Sequence, residues 1–173
     1  VSNLLENPFV DDYQKYKIIN TINTSLSTTP FVYSIHLLNM SNNRYYTAGP
    51  FPVAYSQYFY DKEILEMIKN DYENIKLTPI PRTMPVNGLP NANQINVLSY
   101  IYFEKNSRKD TIENVIVVNI NADSLFNIVN AYNKGTNKHS GFIMVVDEKG
   151  YVLAHPESYF FNKNISDLDF INT

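Results

Sequence analysis

The sequence contains no cysteine, so disulfides, thiolate metal sites and cysteine nucleophiles are excluded together. Five glycines in 173 residues leave little room for a phosphate-cradling loop; that motif, a nucleophile elbow and a His-Glu zinc motif are all missing. Charge is sparse as well: 18% of residues are charged, against about 25% in a typical soluble chain. The net charge is −3 and no basic cluster is present, which excludes a nucleic-acid surface on this stretch. No run approaches the roughly 18 consecutive apolar residues of a membrane span, and no signal peptide is visible.

What is present is a core. Hydrophobic residues make up 44% of the chain, with 14 Tyr and 10 Phe, and the polar surface is built mainly from Asn, Ser and Thr. The length suits one ordinary domain, or one lobe and part of another. The first residue is Val1 rather than Met, so the expectation is a piece of a longer protein.

Taken in order, Asp11 and Asp12 precede apolar residues at Tyr13, Tyr16, Ile19, Ile22 and Leu26, which is helical spacing with carboxylates at the positive end of the dipole. Residues 31–40 are dense in β-branched and aromatic types and predict a strand. Residues 41–43 form a turn, and 44–47 a returning strand stopped by Gly49-Pro50. Residues 60–72 carry Ile64, Leu65 and Ile68 on one face and Asp61 near the start, which predicts a helix. Residues 76–93 are broken by Pro79, Pro81, Pro85, Pro90 and Gly88 and read as loop with at most an edge strand. Residues 96–104 and 114–121 predict two strands around a polar turn. Residues 122–132 predict a short helix capped by Asn121 or Asp123, and 134–140 a linker.

The stretch 141–157, GFIMVVDEKGYVLAHPE, is the most legible part. Two apolar runs flank Asp147-Glu148-Lys149-Gly150, where Asp147 can bond its own backbone and Gly150 supplies the freedom to turn. This strand, turn, strand and Ala154-His155-Pro156, preceded by VIVVNINADSLFNIVNAY at 115–132, resembles the opening hairpin of a PAS-like lobe in the bacterial Cache sensor family. The upstream hairpin at 31–47 is similar in kind, as two tandem lobes of the double (dCache) type would leave.

The resemblance implies an α/β (α+β) fold: a long N-terminal helical stalk at 1–29, a membrane-distal lobe with an antiparallel PAS-like sheet at 30–135, and an incomplete membrane-proximal lobe at 136–173. It implies an extracytoplasmic, ligand-binding part of a membrane-anchored signalling protein, either a histidine kinase or an AraC-type regulator. A chemoreceptor ectodomain is the alternative within the class, and a surface adhesin or assembly domain the alternative outside it. No catalytic role and no cofactor are expected, and a homodimer through the N-terminal helix is compatible with the family.

The three histidines are isolated in sequence and read as structural or surface residues. A pocket is suggested by alternation. Tyr100 and Tyr102 share one strand face, while Ser99, Ile101 and Phe103 share the other, and Asn119 is polar on the face of Val115 and Val117. The bland alternative, that the tyrosines are ordinary core or surface residues, stands equally open. Amino-acid sensors of the resembling family share an Arg, an aromatic two residues later, a strand Tyr and an Asp. By order, Arg82 takes the first position, Tyr100 or Tyr102 the third and Asn119 the last, while Met84 stands where the aromatic would be. The expected ligand-binding set is therefore Arg82, reaching in from the proline-rich loop, with Tyr100, Tyr102 and Asn119. Because Asn119 lacks the charge that favours an ammonium, the expected small-molecule ligand is a sugar derivative or organic acid in preference to a free amino acid.

Overall fold

A computed structural model describes residues 12–50, 59–75, 77–86, 93–106, 111–135 and 141–168. Its centre is a five-stranded antiparallel sheet: β1 (Val32–Asn39), β2 (Arg44–Ala48), β3 (Ile80–Pro85), β4 (Gln94–Asn106) and β5 (Thr111–Asn121). They lie in the order β2-β1-β5-β4-β3. The two N-terminal strands thus sit beside the last one, and β3 forms an edge. That edge position is what lets Pro81 and Pro85 belong to a strand, since a proline has no N–H to donate and an edge strand has a neighbour on one side only. The proline-broken stretch therefore contains the edge strand that its composition left room for.

Among the described residues, three α-helices flank the sheet: α1 (Asp12–Ser27), α2 (Lys62–Asp71) and α3 (Ala122–Gly135). Helix α2 starts where Asp61 accepts from the Ile64 amide at 3.4 Å and continues into a 3-10 turn over Tyr72–Asn74. Asn121 begins α3 by accepting from the Asp123 amide at 2.9 Å. The inner face of the sheet packs Leu38, Ile101, Val115 and Val117 against Phe59 and against Ile64 and Ile68 of α2. The outer face holds two clusters. Ile19 of α1 packs on Leu37 and Tyr46, while Leu98, Ala122 and Leu153 pack together with Tyr100, Ile120 and Leu125 alongside.

Only part of the stripe expected on α1 is buried. Ile19 is buried, and Ile22 joins its cluster, but Tyr13 is 73% exposed and Tyr16 is exposed too. The helix is held at its C-terminal half, where Asn23 Oδ1 also accepts from the Gly49 amide at 2.8 Å. Gly49 has φ +134°, and a Cβ there would lie 2.8 Å from the Tyr33 carbonyl oxygen, so a side chain is excluded at this approach.

The C-terminal hairpin forms as its turn chemistry requires. β6 (Val145–Val146) pairs antiparallel with β7 (Val152–Ala154). Asp147 Oδ1 accepts from the Lys149 and Tyr151 amides at 2.9 and 2.8 Å, and Gly150 has φ +84°. Residues 141–168 otherwise contribute 3-10 turns at Ser158–Phe160 and Ile165–Asp167. The linker at 136–140 and the first residues of the stalk lie outside the described residues. Among the described residues, no helix is long and apolar enough to cross a membrane.

Candidate functional site

The inner face changes character along its length. Beyond the apolar cluster, Ser34 of β1, Asn119 of β5 and Ser99 of β4 stand directly opposite one another in one cross-strand row. Two residues further along β1, His36 lies opposite Thr47 of β2. On β3, Arg82 occupies the same face. All of these side chains are buried, as is Asp61 at the start of α2.

Arg82 is 2% exposed and its donors are engaged within the chain. Nε donates to Ser99 Oγ at 2.7 Å, Nη1 to Asp61 Oδ1 at 3.0 Å, and Nη2 to Asp61 Oδ2 at 2.6 Å and Asn119 Oδ1 at 3.2 Å. Nη1 also lies 3.6 Å from Glu63 Oε2. A guanidinium so deeply buried has to be neutralised, and the forked pairing with Asp61 does so.

Asn119 joins the ion pair to the rest of the row. Its Oδ1 accepts from Arg82 and from Ser99 Oγ at 2.6 Å, while Nδ2 donates to Ser34 Oγ and to His36 Nε2, both at 2.9 Å. That arrangement sets the amide orientation and the histidine tautomer together. His36 Nε2 accepts, with Tyr60 OH 3.2 Å away, so the ring proton sits on Nδ1, which faces Thr47 Oγ1 at 3.3 Å. Burial pushes the His36 pKa down to about 4; the nearby Asp61 charge opposes this and Arg82 adds to it. Burial also raises the Tyr60 pKa far above the ordinary phenol value. The Phe59 ring stands edge-on to His36 at 5.2 Å. Phe59 also lines a depression of about 700 Å³, with Tyr45, Leu65, Lys62, Glu66 and Lys69.

Of the four residues expected from sequence, the structure brings Arg82 and Asn119 into direct contact. Arg82 arrives from the edge strand rather than from a loop. Tyr100 and Tyr102 share a face as expected, but it is the opposite one. Ser99 and Ile101 point inward, which leaves Tyr100 half-buried near Leu98 on the outer face and Tyr102 61% exposed. The two tyrosines do not line the Arg82–Asn119 site. The strand position holds Asn119, as the sequence reads, and Asp61 brings a carboxylate to 2.6 Å from Arg82, where the guanidinium neutralises it.

Sequence reasoning missed Ser34, His36, Ser99, Thr47, Tyr60 and Asp61. The signal for the strand residues was the same one that found Asn119, a polar residue on an apolar face. Asp61 gave none beyond its helix-capping position. No group of His, Cys, Asp and Glu among the described residues could hold a metal ion. Chemically, the cluster is a charge-neutral set of donors and acceptors.

No family model matches the chain, and no curated protein sequence matches it either. Solved structures do. The extracellular domain of an assigned histidine kinase, mmHK1S-Z2, superposes with a TM-score of 0.59 at 14% identity, covering 96% of this chain and 66% of that one. The periplasmic sensory domain of the Campylobacter jejuni chemoreceptor Tlp1 gives 0.55 at 14% identity over 91% of this chain and 60% of that one. The ligand-binding domain of the Pseudomonas fluorescens chemoreceptor CtaA, solved with L-serine, gives 0.52 at 14% identity over 96% and 63%. The chain spans 60–66% of the length of these structures. At such identities the likeness is one of fold: an α+β chain with the PAS-like sheet of extracytoplasmic sensor domains, as the hairpin resemblance implied.

Proposed function

We propose that this chain is the ligand-binding part of an extracytoplasmic sensor in a membrane-anchored signalling protein, and that the buried inner-face cluster is where a small polar ligand registers. The observation that carries this reading is the cluster itself. One ion pair and five further polar side chains are buried together beside the apolar cluster of the sheet's inner face, in a fold shared with domains that include a serine-bound receptor. Buried polar networks cost desolvation that an apolar core avoids, and placed polar groups beside apolar walls are what orients a small ligand. The downstream output of the parent protein would be a kinase, a chemoreceptor signalling segment or an AraC-type regulator. The exposed Tyr13 and Tyr16 of α1 offer a surface for a second copy.

The test is a thermal-shift screen of the purified chain against organic acids, sugar derivatives and amino acids, followed by calorimetry on any compound that stabilises it. A hit whose affinity falls by about tenfold or more on Arg82→Met, the loss of a charge-assisted hydrogen bond, supports the site. A chain that no compound stabilises would fit an adhesin or assembly domain instead.

A further inference from the structure

Arg82 has five N–H groups, and four of them are hydrogen-bonded within the chain, to Ser99, both Asp61 oxygens and Asn119, while Glu63 lies at ion-pair distance, 3.6 Å from Nη1. A ligand anion that reaches this guanidinium therefore meets an occupied fork. We propose that Asp61 is a tethered internal competitor: it fills the Arg82 fork, and a carboxylate ligand binds by displacing it. This rests on the ligand-binding reading above and assigns the regulation of that site.

Three observations support it. The contact is an end-on carboxylate pairing, Oδ1 to Nη1 and Oδ2 to Nη2, which is a geometry a free carboxylate adopts on the same group. Asp61 is carried on a segment rather than on the sheet. It immediately precedes α2, and its Oδ1 accepts from both Arg82 Nη1 and the Ile64 amide, so leaving the fork also removes the cap of α2. The site is one side chain from solvent. Glu63, within 3.6 Å of Arg82 Nη1, is itself 58% exposed, so the same edge offers the ligand a way in and Asp61 a way out. Displacement would expose the first turn of α2, whose Ile64 and Ile68 lie in the inner core. A local contact at Arg82 is thereby converted into a change at a helix end.

Formate is the probe, because formate beside an alanine replaces what Asp61→Ala removes. The expected result is that sodium formate raises the melting temperature of Asp61→Ala more than sodium chloride of equal ionic strength. Its half-saturating concentration should be about tenfold or more below that for the unmodified chain, which carries its own competitor. If Asp61→Ala does not fold in chloride, refolding in formate but not in chloride is the same result. In the unmodified chain, concentrated formate should speed hydrogen exchange at the Ile64 amide. Equal effects of formate and chloride on Asp61→Ala overturn the proposal. So does a formate effect that survives in Asp61→Ala/Arg82→Met, where the charge pair is replaced by apolar groups and the fork is gone. A screening hit that stabilises the unmodified chain yet leaves Ile64 protection unchanged would keep the sensor reading and overturn the role of Asp61.

Discussion

Four groups meet the side-chain amide of Asn119: Arg82 and Ser99 at its oxygen, Ser34 and His36 at its nitrogen. Replacement by Asp keeps the shape and changes one end from donor to acceptor. The new oxygen would face the His36 Nε2 lone pair, an arrangement relieved by a proton on Nε2, which the charged ring supplies while keeping its Nδ1 proton. Asn119→Asp should therefore raise the His36 pKa above its present value of about 4, as followed by NMR of the ring protons against pH. An unchanged titration would show that the amide does not set the tautomer.

His36 itself carries a pH dependence with a definite sign. Its ordinary pKa of 6.5 is lowered to about 4 by burial, so between those values the unfolded chain binds a proton that the folded chain does not. Its contribution to stability is whole above pH 6.5, declines as the pH falls through the window, and levels off below about 4. The full span corresponds to about 3 kcal/mol. Urea unfolding of the unmodified chain and of His36→Gln from neutral to acid pH isolates this contribution, since the carboxylates are common to both. The expected difference narrows as the pH drops through the window, and a difference that is flat with pH would contradict the assignment.

Among the elements, α1 is the one whose attachment differs most from its pattern. Helical spacing placed Tyr13 and Ile19 on one stripe, and only Ile19 meets the sheet, on Leu37 and Tyr46. Ile19→Ala should cost about 2–4 kcal/mol, while Tyr13→Ser should stay within about 0.5 kcal/mol. Equilibrium unfolding monitored by circular dichroism measures both. If Tyr13→Ser weakens association of the chain without changing its stability, the exposed end of α1 is an interface. Equal costs for the two substitutions would mean that the helix packs along its whole length.

At the scale of the molecule, a cluster of buried residues joins the C-terminal hairpin to the main sheet. Leu153 of β7 packs with Leu98 of β4 and Ala122 of α3. Residues 141–168 contribute a two-stranded sheet, and a lone hairpin of that size is marginal in water. Its stability therefore comes from the outer face of the larger sheet. Leu153→Ala should cost about 2–4 kcal/mol, and it should lower the midpoint of a single cooperative transition rather than split it. Calorimetry that resolves a separate low-temperature transition would show that the hairpin unfolds on its own.

The sequence by itself determined the element types, the hairpin turns and the sorting of each strand into two faces. Those are local properties: Asp147 and Gly150 build their turn within five residues, and strand side chains alternate with period two. Alternation paired Tyr100 with Tyr102 and set Ser99 apart from them, but it does not say which face turns inward. That depends on where α1, α2 and α3 settle, which is a matter of long-range apolar packing. The meeting of Asp61 with Arg82, 21 residues on, is of the same kind. Asp61 announces itself locally as a helix cap, and the sheet order that puts β3 beside β4 decides what else it touches. The tertiary structure alone turned scattered polar residues into one neutral, buried network, because a charge can be kept from water only where other elements bring it a partner.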